Sequence, residues 1–138
     1  RTVHNFLDLR QRLGTLVIPV LQGWDHDDYL RCADLYADSG VDLHDEDTIG
    51  LGSICRRNAD NDIVTIIETL DGLRLHAFGV KGRALARVHH RLTSSDSMAW
   101  SYRARRGGRH PDCTHRSCTH CQKFARLWRE RLLESLEG

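Results

Sequence analysis

The chain has 138 residues, 40% of them hydrophobic and 28% charged, with a net charge of +1. That is enough for one compact domain; it excludes a disordered segment and a molecule that is basic throughout. No apolar run nears the roughly 20 residues of a membrane span, and no signal-peptide pattern opens the sequence.

Val3, Phe6, Leu7, Leu9, Arg10 and Leu13 fit one helix, stopped at Gly14. Leu16 to Gln22 reads as a buried strand, although Pro19 cannot donate to a sheet ladder. Asp25 to Asp28 supply a helix start, and Tyr29, Leu30, Ala33, Leu35, Tyr36 and Ala37 carry that helix to Gly40. A second strand spans Thr48 to Ser53, followed by a helix from Asp62 to Leu70. A third strand spans Leu73 to Gly79, with a helix from Arg83 to Leu92. A fourth runs from Ser94 to about Met98. An irregular Gly/Arg/His segment, a cysteine cluster and a last helix from about Thr119 to Ser135 complete the chain.

Strand–helix alternation at this spacing predicts a parallel sheet with right-handed crossovers. Four βα units are about half of a (β/α)8 TIM barrel, which needs ~250 residues. An open doubly wound sheet fits the same pattern, but no glycine-rich nucleotide fingerprint accompanies it. The expected organisation is a single domain, 1–138, with a zinc-binding segment and terminal helix at 109–138 inside it. Because the sequence begins at Arg1 and turns helical at once, we expect it to be the later part of a longer protein.

Polar residues and glycines stand where strands end: Gln22, then Gly50 and Gly52, then Gly79 and Lys81, then Asp96. In a parallel α/β protein these ends open on one face, where ligands bind. Asp96 either meets a ligand there or caps a helix. Gln22 either reads a ligand or satisfies a strand end. His76 reads as a core histidine, and Cys32 and Cys55 as buried thiols. Trp24 and Trp100 flank the proposed face and could stack on a base or pack at its rim. Arg56 and Arg57 could meet phosphate or water.

Charge is unevenly distributed. Acids crowd residues 25–47, and bases crowd the last third (Arg103, Arg105, Arg106, Arg109, Arg116, Lys123). Such a stripe guides a polyanion or is simply solvated. Cys113, Cys118 and Cys121, with His115 and His120 between them, suit tetrahedral Zn²⁺. Clustered thiols point to a reduced, cytoplasmic setting rather than a disulfide framework.

Four stretches carry a family resemblance: Ile18-Pro19-Val20-Leu21-Gln22-Gly23-Trp24, Gly50-Leu51-Gly52-Ser53-Ile54-Cys55-Arg56-Arg57, Leu75-His76-Ala77-Phe78-Gly79-Val80-Lys81 and Ser94-Ser95-Asp96-Ser97-Met98-Ala99-Trp100-Ser101. In this order they resemble the tRNA-guanine transglycosylase superfamily, and most closely its DpdA branch, which puts 7-deazaguanine bases into DNA. The resemblance implies the second half of a (β/α)8 barrel with a zinc insertion. It also implies that Gln22 hydrogen-bonds the guanine edge, that the backbone of Gly50, Leu51 and Gly52 touches the base, that Gly79 lines the site, and that Asp96 is the nucleophile. The family's second catalytic carboxylate belongs to the first half of the barrel, so this stretch alone is expected to be inactive. Cys118 and Cys121 match the family's last two zinc cysteines. Arg116 falls where the first would be, leaving Cys113 and His115 to complete the site, with His120 as the other choice of fourth ligand.

The implied reaction breaks an N-glycosidic bond while a carboxylate holds C1′ covalently, as in retaining glycosidases. The target nucleotide must be flipped out or single-stranded. Implied partners are DNA, a 7-deazaguanine base, and either a helper ATPase or the missing N-terminal half. The alternatives are tRNA as substrate, or an inactive zinc-containing fragment that binds nucleic acid or a partner.

Overall fold

The computed structural model describes residues 1–56, 60–107 and 109–137. It divides into two compact units, Arg1–Asp96 and Ser97–Gly138.

The first unit alternates helix and strand: α1 (Thr2–Leu13), β1 (Val20–Leu21), α2 (His26–Asp38), β2 (Ile49–Leu51), α3 (Asp60–Thr69), β3 (Leu75–Ala77), α4 (Gly82–Val88) and β4 (Ser94–Ser95). All strand pairs are parallel, in the order β1-β2-β3-β4. The order follows the chain without reversal, so crossovers of one hand lay every helix on the same side of the sheet. A doubly wound sheet requires a reversal of strand order, and this sheet has none.

Side chains alternate between the two faces of each strand. Leu21, Ile49, Leu51, Leu75 and Ala77 point to one face and are at most 1% exposed. Phe6, Tyr29, Tyr36, Ile66, Ile67, Leu85 and Val88 of the four helices complete that core. Each large side chain buried this way contributes about 1.5–3 kcal/mol. A slip of one residue would turn them all outward, so the apolar set fixes the register. Two tyrosines of α2 serve the strand backbones as well. Tyr29 Oη donates to the Gly52 carbonyl at 2.7 Å, and the Val20 N–H donates to Tyr36 Oη at 3.0 Å.

Several elements differ from the sequence reading. The strand expected from Leu16 shrinks to Val20–Leu21. Gly14–Leu16 instead forms a 3₁₀ turn after α1, and Pro19 offers only its carbonyl, which accepts from Gly50 N–H at 2.9 Å. The helix expected to reach Leu92 stops at Val88 and tightens into a 3₁₀ turn over His89–Arg91. The segment read as irregular after the fourth strand begins with a helix.

That helix, α5 (Ala99–Gly107), and α6 (Gln122–Glu137) build the second unit around the cysteine loop. Ala104, Cys113 and Cys118 form its small buried core, with Cys121 and Phe124 against it. No residue of α6 is fully buried. A unit of this size with so little core needs a cross-link or a metal to hold it. Among the described residues no helix is long and apolar enough to cross a membrane.

Candidate functional site

The chemistry-bearing residues of the first unit gather at the carboxyl ends of the strands, on the face opposite the helices. Gln22 follows β1 directly. A Cβ built on Gly52 would stand 3.2 Å from Gln22 Cγ and Nε2, so the glutamine lies across the glycine. Here the missing side chain makes room for Gln22. Gly50 is used differently: a Cβ there would come within 2.8 Å of the Phe78 ring. The ring of Phe78 therefore roofs Gly50. Leu51 points the other way into the core, leaving only its backbone at the site, where its carbonyl accepts from Phe78 N–H at 3.3 Å.

His76 sits opposite Gly50 and Ser94 in the sheet register. Its Nδ1 is 2.8 Å from Ser94 Oγ, and its ring meets Phe78 edge-on at 4.7 Å. Expected as a core histidine, it is half-buried on the open face instead.

Asp96 stands just past β4 and is exposed. Its Oδ1 accepts the backbone N–H of Gly79 at 2.8 Å, which ties the ends of β3 and β4 together. The helix-capping alternative falls to Ser97 instead, whose Oγ accepts from Ala99 N–H at 3.1 Å at the start of α5. Gly79 adopts φ +73°, and a Cβ there would stand 2.6 Å from Cys55 Cβ. Cys55, expected to be buried, is exposed against that turn, whereas Cys32 is buried as expected. Among the described residues Ser53, between Gly52 and Ile54, is the non-glycine residue with positive φ, 62°. Strain of this kind clusters where backbone approaches a ligand.

The β1–α2 turn is braced by a reciprocal capping box. Asp25 accepts from Asp28 N–H at 2.9 Å and Asp28 accepts from Asp25 N–H at 3.4 Å, while the Trp24 N–H also donates to Asp28 at 2.8 Å. The Trp24 N–H, followed by the Arg31 guanidinium, holds the Asp28 carboxyl below its ordinary range. Trp24 is 73% exposed, and a cavity of about 510 Å³ opens beside Gln22, Trp24, Arg31 and Ser53. Asp96 does not line it. Trp100 lies half-buried in α5 of the second unit. Arg57 and the side chain of Arg56 lie outside the described residues.

In the second unit one ligand atom from each of Cys113, His115, Cys118 and Cys121 lies within 4.8 Å of all the others. Cys113 Sγ and Cys121 Sγ are 3.8 Å apart, and His115 Nε2 is 3.2 Å from Cys118 Sγ. Sulfurs bound about 2.3 Å from a tetrahedral ion stand about 3.8 Å apart, so the donor set fits a metal. Backbone groups orient it: His110 N–H donates to Cys118 Sγ at 3.2 Å and Phe124 N–H to Cys121 Sγ at 3.4 Å. Burial, together with the adjacent Cys118 and Cys121 sulfurs, pushes the Cys113 thiol up to about 11. The Phe124 N–H draws the Cys121 thiol down. His120 is outside the group, so the imidazole of this cluster comes from His115.

Sequence reading missed Phe78 over Gly50 and the His76–Ser94 pair. Strand alternation was the available signal: His76 and Phe78 stand two apart, as do Gly50 and Gly52.

Polar and aromatic side chains collected at the carboxyl end of a parallel sheet in one unit, and a four-residue Cys/His cluster that could bind metal in the other, define an α/β protein with a metal-type knot. The family model DpdA, described as DeoxyPurine in DNA protein A, matches residues 1–137, and the chain belongs to this family. No curated protein and no solved structure matches the chain.

Proposed function

We propose that this chain carries the nucleophile-bearing half of a (β/α)8 barrel that exchanges guanine for a 7-deazaguanine in DNA. Asp96 is the nucleophile, Gln22 reads the base edge, and the backbone at Gly50, Leu51, Gly52 and Gly79 forms the wall near the ring. The observation that supports this best is Asp96 at the end of the fourth parallel strand, oriented by Gly79 N–H at 2.8 Å, at the same carboxyl end of the sheet as Gln22. Membership of a family named for deoxypurine in DNA supports the substrate. Sequential strand order with one bare face supports a barrel whose other half closes that face.

In this reading the target nucleotide leaves its stack to reach the site. The Asp96 carboxylate attacks C1′ as the bond to the base breaks, and the incoming base then displaces the carboxylate. Gln22 offers both donor and acceptor to a purine edge. Cys113, His115, Cys118 and Cys121 would hold Zn²⁺ in a closed site whose role is structural.

The test uses the complete protein. Denatured after reaction with a guanine-containing DNA, it should retain covalently bound DNA. Asp96→Ala should retain none. Trapping that survives this change rejects the nucleophile, and trapping of tRNA in place of DNA reassigns the substrate.

A further inference from the structure

An enzyme that acts on a base in DNA draws one nucleotide out of its stack, and the neighbours of that nucleotide each lose a stacking face. Aromatic side chains replace such faces in proteins that hold single strands, because every base presents a π-face.

A cavity of about 510 Å³ opens beside Gln22 at the carboxyl end of β1. Its volume lies in the range of small-molecule pockets. Gln22, Trp24, Arg31, Cys32, Leu35 and Ser53 are among the residues that line it. Two of these are large apolar side chains open to solvent: Trp24 is 73% exposed and Leu35 54%. Gln22 also lies across Gly52, so it borders both this cavity and the wall formed by Gly50 to Gly52. Asp96 does not line the cavity, which is therefore not where a sugar meets that carboxylate.

The indole stands on a fixed base. Gly23 lets the chain lie against the start of α2: a Cβ there would come within 2.6 Å of Asp28 Cβ and 2.9 Å of the Tyr29 backbone nitrogen. Trp24 N–H donates to Asp28 Oδ2 at 2.8 Å, and Asp28 N–H donates to Asp25 Oδ1 at 2.9 Å. Tyr29, in the first turn of the same helix, donates its hydroxyl to the Gly52 carbonyl at 2.7 Å and so ties this turn to the wall. The buried core is built without the indole. A ring carried on a braced turn loses little freedom when a ligand covers it, which favours binding.

We propose, resting on the base-exchange reading above, that this cavity is a subsite for the nucleotide next to the target guanine in the DNA strand, whose base stacks on Trp24. Gln22 marks the boundary: the target base presents its edge on one side, and the neighbouring base its face on the other. Stacking accepts purines and pyrimidines alike, so the subsite adds affinity and holds the strand in register without narrowing its sequence.

The experiment measures binding of single-stranded oligodeoxynucleotides to the complete protein. Each carries one guanine, and the base 5′ or 3′ of it is present or replaced by an abasic site. In the parent an abasic site on one side should weaken binding by about 10-fold or more, and on the other side far less. Trp24→Ala should weaken binding of the intact strand by a similar factor and should no longer distinguish it from the abasic one. Trp24→Phe should keep part of both effects. At saturating DNA, Trp24→Ala should still trap the strand covalently, because Asp96 is untouched. Parental affinity for the intact strand in Trp24→Ala overturns the proposal. So does an equal loss for intact and abasic strands, which reports the turn and not a stacked base. A parent indifferent to abasic sites on both sides also overturns it while leaving trapping through Asp96 intact. A parent that traps no DNA is a separate result: it overturns the base-exchange reading and this subsite with it.

Discussion

Gly79 donates its backbone N–H to Asp96 Oδ1 across 2.8 Å, so the Asp96 carboxylate is oriented by the turn that ends the neighbouring strand. The turn needs φ +73° at Gly79, and Cys55 occupies the space that a side chain there would fill. The position of Asp96 therefore depends on the Gly79 turn and on the Cys55 side chain packed against it.

Gly79→Ala should be damaging on both counts. Left-handed backbone costs a residue with Cβ about 1–2 kcal/mol, and the new methyl would stand 2.6 Å from Cys55 Cβ. The melting temperature should fall by about 4–8 °C for each kcal/mol lost. Adding Cys55→Gly should recover the steric part and leave the backbone part, which a double-mutant cycle of melting temperatures will separate.

Asp28 predicts a pH dependence. Its folded carboxyl lies below the ordinary value of 3.8 because Trp24 N–H, Arg31 and Asp25 N–H favour the ionised form. A depressed carboxylate stabilises the fold above its unfolded value and loses that contribution as pH falls through the folded one. Asp28→Ala should lower the melting temperature at pH 7, and the difference should shrink as pH falls below 3.8 and the folded carboxyl is protonated. Thermal melts of both proteins from pH 2.5 to 7 check this.

The cysteine knot should hold a single zinc ion per chain. Cys118→Ala should abolish it, because Cys118 is fully buried and lies beside His115, whereas Cys55→Ala should leave the metal content unchanged. Elemental analysis reads both. Chelation of the parent should destabilise it, since the second unit has little core besides the ligands.

Metal should also reverse the pH response. Without metal, Cys113 is raised from 9.0 to about 11, so the fold favours its neutral thiol; that stabilisation is present below pH 9 and fades as pH climbs through 11. With zinc the ligands are thiolates, and stability should fall with acid instead. Melting temperatures measured from pH 5 to 11 with zinc and with chelator should diverge at both ends.

How far the sequence could be read depended on whether a signal was periodic or combinatorial. The βα alternation, the helix start at Asp25 and the Cys113 to Cys121 spacing were visible because each rests on neighbours in the chain. The α5 helix was hidden because Ala99–Gly107 is short and arginine-rich and buries only the small residues Ser101 and Ala104. Cys55 looked like a core thiol because its exposure depends on how the loop after β2 crosses to Gly79, a contact between residues 24 apart.

The chain by itself determined a parallel α/β framework, the strand ends that bear Gln22, Gly52, Gly79 and Asp96, and a metal-type cysteine cluster, because local spacing and turn chemistry suffice for these. Tertiary structure alone decided that the helices share one side, that Phe78 roofs Gly50, that Ser94 holds His76, and that His115 rather than His120 joins the thiols. Those outcomes depend on register and on close approach between distant segments, and neither is written in any single stretch of sequence.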